Sequence, residues 1–247
     1  MKIVVIGGTG LIGSKVITRL GEHAHQAVAA APSTGVNTLT GEGVREVLRG
    51  ADVVVDVSNS PSFADDDVMA FFRTSTTNLL DAARAAGAGH YAALSVVGTE
   101  RLPESGYMRA KAVQETLIEN SGLPYSLVHA TQFFEFAGGI ADSATTDGVV
   151  RLSDGGVQPI ASDDVAAAVA RTCAGAPLDG ALDIGGPEAF GLDQWIRMVL
   201  AARSDPREVV TDPQARYFGA ILGADSLLPG PGAQLAPTRL SQWLARE

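Results

Sequence analysis

Short, unbroken apolar runs alternate with longer stretches of helical periodicity from the first residues onward, which predicts an α/β fold with a doubly wound parallel sheet. Ile3-Val4-Val5-Ile6 is rich in β-branched residues, as expected of a central strand covered on both faces. It runs directly into Gly7-Gly8-Thr9-Gly10, after which Leu11, Ile12, Val16, Ile17 and Leu20 recur at helical spacing until Gly21. Further strands are predicted at Gln26 to Ala31, Asp52 to Val57, Tyr91 to Val97, Tyr125 to Ala130 and, last, Ala181 to Ile184. The periodicity places helices at Asp65 to Ala86, Tyr107 to Asn120, Val165 to Cys173 and Leu192 to Ala202, with a final helix capped by Thr238. Val36 to Gly50 has room for only a short strand and one short helix, Gly43 to Leu48, so this half of the fold is abridged. Residues 204 to 237 are rich in Pro and Gly and are expected to form loops or short helices over the carboxyl ends of the strands.

The glycine turn gives this pattern a chemistry. Gly8, Gly10 and Gly13 fit G-x-G-x-x-G, and Gly7, Gly10 and Gly13 fit its wider form. Such glycines allow a tight turn, close approach of backbone N–H groups to a pyrophosphate, and helix packing on the strand, with the anion on the helix N-terminus. The whole chain, residues 1–247, therefore reads as one Rossmann-type NAD(P)-binding domain. Parts of 131–160 and 185–247 would form a small substrate lobe. The predicted cofactor contacts at the turn are Gly7, Thr9, Gly10, Leu11, Ile12 and Gly13. After the second strand, Pro32-Ser33-Thr34-Gly35 stands where an acid would bind the ribose 2′-hydroxyl of NAD. Hydroxyls at Ser33 and Thr34 suit a 2′-phosphate instead, so NADPH is expected over NADH, although the nearest later arginine is Arg45. Val57, Ser58 and Asn59 leave the third strand toward the cofactor, with Ser60 toward the substrate. A plain surface turn is the other account of that loop.

Composition narrows the partners. A net charge of -10 opposes binding to a phosphate backbone, which excludes nucleic acid as the expected ligand. Cys173 is the only cysteine, so no intramolecular disulfide or cysteine-rich zinc site is available, and its alanine-rich setting marks a buried helix residue. No apolar run reaches membrane-span length, and a cytoplasmic protein is expected. Arginine far outnumbers lysine, which occurs only at positions 2, 15 and 111, and this hints at a GC-rich bacterial genome. Asp65, Asp66 and Asp67 read as helix-opening residues, not metal ligands, and Asp163 and Asp164 likewise. The four histidines show no ligand spacing; His129, ending the strand nearest the cleft, is assigned to packing. Asn78 has two open roles, helix packing and proton relay. No metal is expected.

Tyr107 and Lys111 lie one helical turn apart on one face. An ammonium beside a phenol favours the phenolate and lowers the tyrosine pKa, which suits proton transfer near neutral pH. Ser95, near the end of the preceding strand, is positioned to bond the same substrate oxygen. With GGTGLIG at Gly7 to Gly13, LSVVG at Leu94 to Gly98, YMRAK at Tyr107 to Lys111, PYSLVHATQFFEF at Pro124 to Phe136, PIASDDVA at Pro159 to Ala166 and GGPEAFGLDQW at Gly185 to Trp195, the sequence resembles the short-chain dehydrogenase/reductase superfamily. The resemblance is to its atypical, NmrA-like, NAD(P)H-binding branch. It implies that Ser95 orients the substrate, that Tyr107 transfers the proton, and that Lys111 binds the nicotinamide ribose. It also implies that Ala130, Thr131 and Gln132 meet the nicotinamide, and that the helices from Asp65 and Tyr107 form a homodimer face.

Many NmrA-like proteins lack the tyrosine; this chain keeps the triad, which favours an enzyme. The expected activity is NAD(P)H-dependent reduction of a carbonyl or quinone on an apolar, aromatic substrate, from the Phe133, Phe134 and Phe136 cluster, with Phe133 and Phe134 as substrate contacts; a place in the core is the equal alternative for these rings. Its extension is a reducing component of a hydroxylating monooxygenase pair in natural-product biosynthesis. Two alternatives stay open: a non-catalytic NADP(H)-sensing regulator, and a nucleotide-sugar epimerase or dehydratase.

Overall fold

The computed structural model describes residues 1–246. Strand β1 (Lys2–Ile6) is buried on both faces, and its side chains divide between two cores. Ile3 and Val5 join Val16, Leu20, Val53, Val55, Val128 and Val169 on one face, whereas Val4 and Ile6 join Val54, Leu79, Leu80, Tyr91 and Ile118 on the other. The period-2 alternation of a strand produces this split, and each fully buried Val or Ile contributes roughly 1.5–3 kcal/mol.

Six more strands run parallel to β1: β2 (Gln26–Ala30), β3 (Val53–Asp56), β4 (His90–Val96), β5 (Tyr125–Ala130), β6 (Gly180–Gly185) and β7 (Gln234–Leu235). Their order is β7-β6-β5-β4-β3-β1-β2, so the chain reverses direction across the sheet between β1 and β3. Ligands bind outside the strand ends at such a point. Helices α1 (Leu11–Glu22) and α6 (Ser162–Ala174) cover one face, tied by Lys15 Nζ to Asp163 at 2.9 Å and Ser162 Oγ at 2.7 Å. Helices α3 (Asp65–Ala86) and α4 (Gly106–Glu119) pack together over the other. α3 ends at Gly87 in the left-handed conformation (φ 70°), as a helix C-terminus favours.

Three expectations are corrected. No strand forms between Val36 and Gly50; the segment contains only the one-turn helix α2 (Val44–Val47). Asn37 Oδ1 instead accepts the N–H groups of Leu39 (2.9 Å) and Thr40 (3.3 Å), a local turn that competes with extension. The strand ending at Gly185 is not the last, because Gln234 and Leu235 pair with Ile184 and Gly185. Residues 204–237 hold short strands, not helices, including the hairpin Arg216–Tyr217 with Ala220–Ile221.

A further core lies beyond the strand ends and contains Phe134, Ile140, Val157, Trp195, Ile196, Val199 and Trp243. It joins α5 (Ala137–Ser143), α7 (Leu192–Ala202) and α8 (Leu240–Leu244). Arg239 is the residue that precedes α8, while the Thr238 N–H bonds Asp164 Oδ2 at 3.2 Å.

Candidate active site

The nucleotide end is built by backbone. Gly7 turns the chain off β1 with φ 77°, donating its N–H to Ala30 O at 2.8 Å. A Cβ on Gly13 would lie 2.2 Å from Gly7 O, so helix and turn can meet this closely only through glycine. Gly10 caps α1 with no side-chain bond, and a Cβ there would meet only Gly7 O at 3.3 Å. The first-turn N–H groups of α1 are thus presented for an anion.

Gly7, Thr9, Gly10, Leu11, Ile12, Val57, Ser58, Asn59, Ala130, Thr131, Gln132 and Lys111 all line one cavity of about 1100 Å³ at the carboxyl ends of the strands. Gly13 stands behind the wall as a packing residue. Gln132 Oε1 is buried with no hydrogen-bond partner among the described residues, which fits an amide donor such as a nicotinamide carboxamide. Ser33 and Thr34 are not brought into the wall. Thr34 Oγ1 instead accepts the Ala31 N–H and donates to Ala31 O, both at 2.9 Å, closing the turn at Pro32–Thr34. Pro32 and Val36 to Leu39 supply that part of the lining. Asn78 Nδ2 holds it against α3 by bonds to Thr38 O (2.8 Å) and Leu39 O (3.2 Å).

Ser95, Tyr107 and Lys111 line the same cavity. Ser105 caps α4, placing Tyr107 in its first turn among the rings of Phe63 (5.6 Å between centroids), Phe218 (5.9 Å) and Phe72 (6.1 Å). Burial pushes the Tyr107 phenol up to about 12. The expected lowering by Lys111 is therefore corrected. Lys111 Nζ donates to Leu94 O at 2.9 Å and to Gln114 Oε1, and it lies 4.4 Å over the Phe72 ring that packs edge-on against Tyr107. Gln114 Nε2 in turn donates to the buried carboxylate of Asp56 at 3.1 Å. Burial brings Lys111 down to about 8, opposed by Asp56 and Glu115. The ammonium is committed to this bridge and not to the phenol.

Ser95 Oγ donates to Glu115 Oε1, which leaves the serine oxygen an acceptor toward the cavity. Glu115 Oε2 accepts from Thr99 Oγ1 at 3.3 Å. His129 lies between two carboxylates, with Nε2 3.4 Å from Glu115 Oε1 and Nδ1 3.2 Å from Asp183 Oδ1. Burial would lower His129 and raise Glu115, but their mutual attraction, with Asp183 on the histidine and Ser95 on the glutamate, prevails. His129 is raised and Glu115 lowered.

Phe133 lines the cavity, stacked at 4.9 Å on Phe136. Phe134 does not; it is fully buried and packs on Trp243 at 5.4 Å. Ser60 is also buried, its hydroxyl accepting the Ser62 N–H at 3.3 Å, and Pro61 and Phe63 face the cavity in its place. Asp65 pairs with Arg109 at 2.7 Å and Asp67 accepts from Ser62 Oγ at 2.8 Å. No metal-type cluster of side chains occurs among the described residues.

The sequence profile of the NAD(P)H-binding family matches residues 7–175. The chain belongs to that family. Its resemblance to the atypical short-chain dehydrogenases/reductases holds accordingly, and with it an NAD(P)-dependent enzyme of that type. A (4-alkanoyl-5-oxo-2,5-dihydrofuran-3-yl)methyl phosphate reductase of Streptomyces griseus is 29% identical over 204 residues, covering 76% of this chain and 69% of that one. A chloroplastic divinyl chlorophyllide a 8-vinyl-reductase of Cucumis sativus is 28% identical over 75% of this chain, which spans only 52% of that protein. Among solved structures, the dTDP-glucose 4,6-dehydratase DesIV of Streptomyces venezuelae, with NAD and TYD bound, superposes with a TM-score of 0.76 at 16% identity, over 100% of this chain and 95% of that one. That likeness shows the shared fold.

Within this NAD(P)H-binding framework, the sequence did not reveal Asp56, Gln114, Glu115, Phe63, Tyr217 or Phe218 as site residues. Glu115 carried a signal, one helical turn beyond Lys111 on the same face as Tyr107. Tyr217 and Phe218 line the cavity from a hairpin that has no periodic pattern. Phe218 adopts a left-handed φ of 46°, a conformation that costs a non-glycine residue about 1–3 kcal/mol.

Proposed function

We propose that this oxidoreductase reduces a carbonyl or quinone on an uncharged, apolar, aromatic substrate, using NADPH in preference to NADH. The observation that carries this is the lining of the one cavity that holds the glycine turn together with Ser95, Tyr107 and Lys111. Among its described residues only Lys111 and Glu135 are charged, and both are engaged within the protein. Glu135 accepts from Ser162 Oγ (2.6 Å) and Trp243 Nε1 (3.2 Å). Phe63, Phe71, Phe133, Phe136, Tyr217 and Phe218 give the lining six aromatic rings. A phosphate-bearing substrate, as in the name of the Streptomyces griseus relative, would meet no arginine in this lining.

A nicotinamide held beside Gln132 would supply hydride. Tyr107, neutral over the physiological range, donates its phenolic proton to the oxygen that gains negative charge, and the phenylalanines around it exclude water. Ser95 accepts from the hydroxyl formed. The preference for NADPH rests on the absence of an acid after β2. A released hydroquinone would also suit a partner that uses reduced aromatics and oxygen. One observation favours a second account, a non-catalytic NADP(H)-responsive regulator: Lys111 is bonded to Gln114 and not to Tyr107. The test is loss of reduced-nicotinamide absorbance with NADPH and NADH against neutral quinones, neutral aromatic ketones and their phosphorylated counterparts. Turnover of neutral compounds with NADPH is expected. Preference for the phosphorylated compounds would overturn the substrate assignment, and tight binding without turnover across the panel would favour the regulator.

A further inference from the structure

Resting on that proposed function, a second question concerns how Tyr107 recovers its proton. Lys111, one turn beyond Tyr107 on α4, is bonded to Leu94 O and Gln114, and the ring of Phe72 packs against both it and Tyr107. No other cationic side chain lines the cavity among the described residues.

A different line of groups leads away from the same cavity. Ser95 Oγ contacts Glu115 Oε1, the same Oε1 lies 3.4 Å from His129 Nε2, and His129 Nδ1 lies 3.2 Å from Asp183 Oδ1. Asp183 is anchored by the Gly230 N–H on its Oδ2 at 2.8 Å, and its side chain is 26% exposed. The line therefore runs from the cavity wall on β4, across α4 and β5, to solvent at β6. Every titratable group that faces it is a member or a neighbour of known sign: Lys111 and Glu115 from α4, His129 from β5 and Asp183 from β6.

We propose that Ser95, Glu115, His129 and Asp183 form a proton relay that restores the Tyr107 phenol after each turnover. Once the phenol has protonated the product oxygen, the Ser95 hydroxyl turns from Glu115 to the product hydroxyl and returns a proton through it to the phenolate. In the same concerted shift the Glu115 carboxylate passes to Ser95 the proton that it receives from the His129 imidazolium, and neutral His129 is reprotonated from solvent beside Asp183. One proton enters for each proton consumed, and no electrons move. Glu115 and His129 act through Ser95 and are positioning residues. At 3.4 Å and without hydrogen-bond alignment, His129 Nε2 must close on Glu115 for the proton to pass.

The first arm of the test does not depend on activity. Histidine side-chain NMR titration should show His129 above the ordinary value of about 6.5 in the wild type and lower in Glu115→Gln. An unshifted His129 in Glu115→Gln overturns the relay. The second arm uses NADPH and menadione, a neutral quinone. In His129→Gln the first turnover should match the wild type, because Tyr107 starts protonated, while steady-state kcat falls at least about tenfold and loses its decline through the His129 titration. Nucleotide binding and KM should stay unchanged, which reports an intact fold. Superimposable steady-state pH profiles overturn the relay. A wild type that turns over no quinone or ketone counts against the proposed function, and the NMR arm still decides the network.

Discussion

The two ends of the cavity are held by different means. At the nucleotide end the shape comes from backbone: glycines at positions 7, 10 and 13, free helix N–H groups, and a wall pinned by Asn78. At the reacting end it comes from side chains brought together from α3, β4, α4, β5 and a distant hairpin. Backbone geometry tolerates almost no change at a few positions and wide change elsewhere. Side-chain geometry is softer, so substitutions there should alter chemistry with little loss of fold.

The sharpest way to break that contrast is at Gly13. Even Gly13→Ala places a methyl 2.2 Å from Gly7 O, and Gly13→Val is expected to cost more than about 3 kcal/mol. Chemical denaturation or recovery of soluble protein checks this. Next comes the hairpin tip. Phe218→Gly should raise KM for a neutral quinone about tenfold, the equivalent of about 1.4 kcal/mol of lost ring contact. Thermal stability should hold or rise, because the strained φ of 46° is relieved. Loss of both substrate binding and stability would show that the ring serves the fold.

A smaller effect is expected from pH. His129 is raised, so its stabilising contribution is complete below its unfolded value and is lost as pH rises through its folded value. Glu115 is lowered, so its contribution is present above its unfolded value and is lost as pH falls through its folded value. The pair therefore stabilises most between these limits, at about pH 5 to 6. The melting-temperature difference between wild type and His129→Gln should peak there and shrink as pH rises through the folded-state titration of His129. The smallest effect belongs to Gly21 on α1, where a Cβ would meet nothing within 4 Å. Gly21→Ala should stabilise by about 0.5–1 kcal/mol, in opposition to Gly13→Ala on the same helix.

The same contrast explains what the sequence made legible. β5 and α7 run as their periodicity predicts, and the glycine turn places Gly7, Thr9 and Gly10 on the cavity, because local pattern and local backbone determine both. Phe133 and Phe134 show the limit. One lines the cavity and its neighbour is buried against Trp243, a difference of side that composition does not specify. The Tyr107–Lys111 spacing is local and correctly gives one helix face, but the partners that decide their charge state come from elsewhere. Phe72 is on α3, Asp56 ends β3 and Phe218 lies on the hairpin, and only the assembled fold brings them together.

The most direct measurement is a single turnover with a neutral quinone and stoichiometric NADPH, in wild type and Tyr107→Phe, with nucleotide binding titrated on the same samples. Loss of reduced-nicotinamide absorbance should slow about 10²–10⁴-fold in the variant while its nucleotide affinity stays unchanged. Equal rates in the two proteins would contradict Tyr107 as the proton donor.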